Sequence, residues 1–394
     1  MAMQFILRSL NFCLKSEPNM RKETLLLVFS TLFALTLAEI TLSKFFPQRT
    51  VSQYLHDRPA MFRPNDILFM DLKPNFSGFL REEEFKTDIF INSTGYRQGE
   101  FEAKSDTGTR VLVVGDSFTF GYGVEESDGY VRVAERELRQ SISAGSVEVI
   151  NAGVPAWWTD SYYLYLKTKG LELDPDVVVV GLFMGNDIDA RDARHAIWPS
   201  VDKNGLPLAT TSKRVLIDNG HRVRAKRRTR WVIPFLRNSH LFQLLYSSAK
   251  NATRLIKPKV QAETLYQATY SVETEQVVDK VKALLVGMSN LTRASGAHFV
   301  VAMIPERTQI YPKSIGENQY LDYAKPQRLF AKFFDEQNIS YVDLLPEIKN
   351  AAQMNAEPLY YTRDSHFTRA GYLVAGKELA CRLISDGIIE SNTP

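Results

Sequence analysis

The sequence predicts an α/β fold with a parallel sheet and helices on both faces, preceded by a membrane-type helix and a small β-rich extension. Three observations predict it. Strand-like apolar runs alternate with helix-period segments from Arg110 onward. The first of those runs, Val111-Leu112-Val113-Val114, breaks abruptly into Gly115-Asp116-Ser117. An almost wholly apolar stretch, Leu25 to Leu42, lies ahead of both. With 44% hydrophobic and 24% charged residues in 394, the chain has enough apolar content for a full core.

Leu25–Leu42 carries Glu39 as its only charge. Eighteen helical residues reach about 27 Å, enough for a thin bilayer, and the run has no polar face for a soluble helix to present. Arg8, Lys15, Arg21 and Lys22 precede it, which favours a cytoplasmic N-terminus. The expected organisation is a leader over 1–22 and an anchor over 23–43, with the catalytic part extracytoplasmic, periplasmic or at the cell surface. Thr36-Leu37-Ala38 also permits cleavage, in which case the segment is a signal peptide and the rest is secreted. The long basic leader favours the anchor.

Residues 44–108 are turn-rich, with strand-like pieces such as Thr87-Asp88-Ile89-Phe90-Ile91, and are taken as linker and β-rich extension. The main domain, 109–390, offers strands at Val111–Val114, Val147–Ile150, Val177–Phe183, Phe299–Ile304 and Ile339–Leu344. Helical segments fall near 127–142, 159–170, 274–295, 325–336 and 369–386. The stretch 193–273 interrupts the alternation and is expected to hold some helix and form a cap or flap. Its basic run, 221–230, reads as a solvated face or as a site for an anionic partner such as lipid headgroups or an acidic polysaccharide.

The formal net charge is +3, too small for a nucleic-acid-binding chain. Cys13 and Cys381 are the only cysteines, which argues against a disulfide framework or a zinc–thiolate site. Asp187, Asp189 and Asp192 lack a histidine or second carboxylate motif at ligand spacing, so they are read as helix-capping rather than metal-binding. No cofactor is expected.

Four short pieces carry the chemistry: Gly115-Asp116-Ser117, Asn151-Ala152-Gly153, Gly185-Asn186-Asp187 and Asp364-Ser365-His366. Each alone is ordinary turn or capping chemistry. In this order, at successive crests of one inferred sheet, they suit acyl chemistry. Ser117 attacks a carbonyl, His366 takes and returns the proton, and Asp364 orients the imidazole. In an extended loop the two-residue spacing places Asp364 and His366 on one side. The backbone N–H groups of Ser117 and Gly153 and the Asn186 amide suit an oxyanion. Asp343, at the end of the last strand, is a rival for the acid. Trp157 and Trp158 either wall a pocket or join the core.

These blocks resemble the SGNH (GDSL-type) hydrolase family over about 110–390, and Ile91–Arg97 resembles the leader of its membrane-associated bacterial members. The resemblance implies a flavodoxin-like three-layer α/β/α sandwich. It also implies metal-free ester hydrolysis, with Ser117, His366 and Asp364 catalytic and Ser117, Gly153 and Asn186 in the oxyanion hole. Two blocks depart from the family: Met184 stands where a glycine is usual, and Asp-x-His replaces the common Asp-x-x-His. The shorter spacing also resembles membrane-associated acetyltransferases of exopolysaccharides. The expected function is therefore a serine esterase acting on a carbohydrate or lipid ester. The alternatives are an O-acyltransferase using the same triad on an extracytoplasmic polysaccharide, and a non-catalytic glycan- or lipid-binding protein on the same scaffold.

Overall fold

The computed structural model describes residues 18–48, 61–101, 103–105, 108–142, 147–188, 200–209, 215–218, 221–224, 236, 238–256, 264–312, 321–354 and 357–390. Asp189, Asp192, the leader up to residue 17 and the 225–230 part of the basic run lie outside them. Contacts divide the chain into two compact units: residues 1–56 with 227–259, and residues 57–226 with 260–394.

The larger unit is built on five parallel strands: β1 (Thr109–Gly115), β2 (Val147–Gly153), β3 (Val177–Phe183), β4 (His298–Ile304) and β5 (Ser340–Asp343). Their order is β5-β4-β3-β1-β2. Reversed, this is the 2-1-3-4-5 winding of flavodoxin-like sheets, whose ligand crevice opens beyond the carboxyl ends of β1 and β3. The strands are apolar throughout because both faces are covered. Their side chains alternate with the two-residue pleat. Leu112, Val114, Val178, Val180, Val301 and Met303 enter one core; Val111, Val113, Val177, Val179, Val300 and Ala302 enter the other.

Helices α1 (Tyr130–Ser141), α2 (Thr159–Thr168), α3 (Val272–Ala294), α4 (Lys325–Gln337) and α5 (Arg369–Ser385) complete the sandwich. Residues of α1 and α5 fill one core, and those of α2, α3 and α4 fill the other. Ser271 and Thr368 cap α3 and α5 by accepting from the N–H groups of Thr274 and Gly371. All five strands and five helices fall where the alternation predicts them. The helix Leu345–Met354, between β5 and α5, was not predicted. The three-layer α/β/α expectation is met.

The extension forms two hairpins, Phe62–Asn65 with Phe69–Leu72 and Ser77–Arg81 with Lys86–Phe90. Met61, Leu72, Leu80, Ile89 and Tyr96 join the α2-side core. Trp157 is wholly buried there and donates its Nε1–H to the Met70 carbonyl at 2.8 Å, which decides its role as core. Trp158 is half-buried.

In the smaller unit a helix spans Pro18–Phe45, and its Lys22–Phe45 part, with mean hydropathy 2.1, is long and apolar enough to cross a membrane. A second helix, His240–Ile256, packs with it.

Candidate active site

A row of glycines makes the crest of the sheet. Gly115 pairs in register with Gly153 on one side and Gly181 on the other. A Cβ at Gly115 would meet Thr119 Oγ1 at 2.0 Å, one at Gly181 the same atom at 2.6 Å, and one at Gly153 the Phe120 nitrogen at 2.2 Å. The row is thus a notch, and the helical turn Ser117–Phe120 sits in it. Thr119 fills the notch and bonds the Tyr130 hydroxyl at 2.8 Å. Asp116 caps the turn, its Oδ1 accepting from Phe118 N–H at 2.8 Å. Ser117 opens the turn directly at the strand's end.

Arg97 braces the turn from below. Its guanidinium, wholly buried, donates to the carbonyls of Phe120 (3.1 Å), Gly121 (2.7 Å), Asp88 (3.2 Å) and Val124 (2.8 Å). Burial lowers its pKa to about 10, so it stays charged at neutral pH.

The structure brings Ser117, His366 and Asp364 together. His366 Nε2 lies 2.7 Å from Ser117 Oγ, and its Nδ1 is hydrogen-bonded to Asp364 Oδ1. The imidazole is held between two rings: Phe118 at 4.9 Å and Tyr122 at 4.6 Å, tilted by 40° and 35°. The Asp364–His366 loop is not extended as the spacing suggested. Ser365 has φ +72°, in the left-handed region, and that turn is what points both flanking side chains inward. An L-residue there costs about 1 kcal/mol, so the surroundings must hold it.

Much of that hold comes from Glu84, between the strands of the second hairpin. Its carboxylate accepts from the N–H groups of Thr362 (2.9 Å), Arg363 (2.7 Å) and Asp364 (3.0 Å). Desolvation pushes the Glu84 pKa up, but these three donors outweigh it and hold the carboxyl below its ordinary value. Arg363 also pairs with Glu83, and Tyr361 donates its hydroxyl to Gly123 O at 2.8 Å.

Of the other sequence-predicted residues, Gly153 lies beside the Ser117 turn, but its N–H donates to Asn151 Oδ1 at 2.9 Å. Asn186 sits against Asp116, and its amide favours the ionised form of that carboxyl. Asp343 is not brought to His366: its Oδ1 caps the next helix by accepting from Leu345 N–H at 3.0 Å. Asp187 is buried beneath the crest, where it accepts from the Tyr162 hydroxyl and from Phe183 N–H at 2.9 Å. Desolvation raises the pKa of both Asp116 and Asp187, and the charge of Asp116 raises that of Asp187 further. Among the described residues no cluster of three or more His, Cys, Asp or Glu could hold a metal ion.

Sequence reasoning missed Glu84, Tyr122 and the bracing role of Arg97. Glu84 and Tyr122 carry no local signal. A lone arginine among residues that pack as core was the one available hint for Arg97.

The sheet order, and the meeting of Ser117, His366 and Asp364 at its carboxyl crest, are what the resemblance of the four sequence blocks to the SGNH family implies. Residues 262–392 match the family model described as "SGNH hydrolase-like domain, acetyltransferase AlgX". The match covers about a third of the chain, which is similar to this family over that part. That match includes the Asp364–His366 block and stops short of Ser117, Gly153 and Asn186.

The chain is 26% identical over 117 residues to "Probable alginate O-acetylase AlgJ" of Pseudomonas fluorescens, covering 28% of each chain. It is 27% identical over 115 residues to the protein of that name from Pseudomonas syringae pv. tomato, covering 27% of each. The matches thus span under a third of these curated relatives. Among solved structures it is similar to a lipase/acylhydrolase from Enterococcus faecalis, at 14% identity and TM-score 0.39, over 73% of this chain and 100% of that one. A lipolytic G-D-S-L family protein from Veillonella parvula matches at 13% identity and TM-score 0.37, over 71% and 99%.

Proposed function

We propose that the protein is an O-acyltransferase that moves an acyl group, of which acetyl is the simplest, onto a hydroxyl of an extracytoplasmic polysaccharide. The observation that carries the acyl chemistry is the hydrogen-bonded series Ser117 Oγ–His366–Asp364. The choice of transfer over hydrolysis draws support from the acetyltransferase description of the matching family model and from the O-acetylase names of the relatives.

In the reaction, Asp364 holds the imidazole with its proton on Nδ1, leaving Nε2 to accept the Ser117 proton. Ser117 Oγ attacks the donor's acyl carbonyl. The tetrahedral oxyanion is received by the Ser117 N–H, the Gly153 N–H and the Asn186 amide; Gly153 must share its hydrogen with Asn151 Oδ1 or surrender that bond. Collapse breaks the donor's bond to its leaving group, which departs with the proton from His366. In the second half an acceptor hydroxyl gives its proton to His366 Nε2 and attacks the acyl-Ser117. Collapse returns the proton to Ser117 Oγ and releases the acylated acceptor. Water in place of that hydroxyl gives hydrolysis. The Lys22–Phe45 helix serves as the anchor that keeps this site outside the cytoplasm.

The test is the full chain in detergent with p-nitrophenyl acetate as donor, with and without an alginate oligosaccharide. Release of p-nitrophenol should accelerate with the oligosaccharide, which gains acetyl mass. Ser117→Ala and His366→Ala should abolish both, by about 10³-fold or more with folding intact. Nitrophenol release with no mass gain for a panel of sugars would establish an esterase instead. A folded protein that never forms acyl-Ser117 would overturn the reading.

A further inference from the structure

Glu39, the only charge in the apolar run, does not reach for water. Its Oε1 accepts from His240 N–H at 2.7 Å, and its Oε2 accepts from Leu241 N–H at 2.9 Å and from the Ser239 hydroxyl at 2.8 Å. Ser239 Oγ in turn accepts from Phe242 N–H at 3.0 Å. The first two N–H groups of the helix His240–Ile256 are thereby satisfied by a residue of the helix Pro18–Phe45. A second link joins the same pair of segments: Gln48 N–H donates to His240 Nδ1 at 2.9 Å.

In water this arrangement would achieve little, since both the carboxylate and the helix end would be solvated. At the edge of a bilayer each group is expensive alone. A carboxylate at lipid depth needs a partner, and so do unpaired N–H groups. Glu39 lies three residues from the end of the apolar run, so the capped helix starts at that depth.

The helix has the amphipathic form that such a position requires. At 100° per residue Leu241, Phe242, Leu244, Leu245 and Tyr246 share one side, while Gln243 and Ser247 lie opposite. The Phe242 and Tyr246 rings stack one turn apart, 6.1 Å between centres. Leu245 is 60% exposed and Tyr246 49% exposed, and the Pro18–Phe45 helix likewise bares its leucines and phenylalanines from Leu25 to Ile40. An apolar face on a helix whose start is capped by the anchor helix, with tyrosine at its margin, fits the boundary between headgroups and acyl chains.

We infer that the helix His240–Ile256 is a second membrane-contacting element, lying in the lipid interface and pinned to the anchor by Glu39. The inference rests on the anchor reading given above. Its test uses the full chain with Cys13→Ser and Cys381→Ser, reconstituted in phosphatidylethanolamine–phosphatidylglycerol vesicles. A nitrobenzoxadiazole label is placed on Leu245→Cys or, separately, on Ser247→Cys. The label at 245 should lose emission to doxyl-labelled lipid and not to iodide, and the label at 247 should show the reverse preference. Glu39→Ala should shift the 245 label towards iodide quenching while the chain stays in carbonate-washed vesicles. A carbonate-resistant chain whose 245 label is quenched by iodide overturns the inference and leaves the anchor standing. Doxyl quenching that Glu39→Ala does not change overturns the role of Glu39. A chain that carbonate extracts overturns the anchor reading, and this inference with it.

Discussion

The two halves of the candidate site are held in opposite ways. Ser117 sits on a turn wedged into a glycine notch, capped by its neighbour Asp116 and locked from beneath by Thr119 and Tyr130. Those contacts come from adjacent strand ends and the next helix. The Asp364–His366 loop has no such socket. It keeps a left-handed serine in place through a carboxylate 280 residues distant in sequence and through two flanking rings. Ser117 is positioned mainly by the sheet, with Arg97 of the extension bracing its turn, while the loop that carries His366 is held through Glu84 of the N-terminal extension. That extension is therefore part of the candidate site rather than a spacer.

Breaking the sheet side should cost most. Gly153→Ala forces a Cβ into the backbone of Thr119 and Phe120, where no flexible side chain can give way. We expect about 2–3 kcal/mol of destabilisation, seen as a lowered unfolding midpoint in urea, together with loss of nitrophenol release. An unchanged midpoint would mean that the notch is not closed. Asn186→Ala should leave stability nearly intact and lower turnover about 10²–10³-fold, as loss of an oxyanion donor does. A change in KM alone would reassign it to substrate binding.

Breaking the loop side should cost less and leave the fold intact. Glu84→Ala removes three bonds from Thr362, Arg363 and Asp364 and should lower kcat about tenfold or more, with KM unchanged. Glu84→Gln keeps an acceptor oxygen and should recover part of the rate. A purely structural role would instead lower the unfolding midpoint and leave kcat per folded molecule at the wild-type value.

This contrast also explains what could be read from the chain. The sheet was legible because Val111–Val114, Val177–Phe183 and Phe299–Ile304 are short, wholly apolar and separated by helical periods. Ser117 was legible because its strand ends in Gly-Asp-Ser, and His366 because a histidine two residues after an aspartate precedes a capped helix. The left-handed turn at Ser365 was not, since nothing in Asp-Ser-His distinguishes it from an extended tripeptide. Glu84 was hidden among Glu82, Glu83 and Glu84, three like residues whose sequence cannot say which one faces the loop. Long-range hydrogen bonds to backbone leave no trace in side-chain pattern.

The smallest expected effect lies beneath the sheet side. Asp116 and Asp187 are both fully buried, and desolvation first, then their mutual charge in the case of Asp187, raises their pKa values above the ordinary 3.8. A carboxyl raised in this way binds its proton more tightly folded than unfolded. Its favourable contribution is complete below 3.8 and declines as pH climbs through the raised values. Asp187→Asn removes one of the two titrations and keeps an acceptor for the Tyr162 hydroxyl. The wild-type unfolding temperature should therefore fall more steeply than the variant's as pH climbs from 3.8 through the raised value. Parallel curves would show that Asp187 stays ionised in the folded protein, its charge held by the Tyr162 hydroxyl and the Phe183 N–H beside the equally buried Asp116.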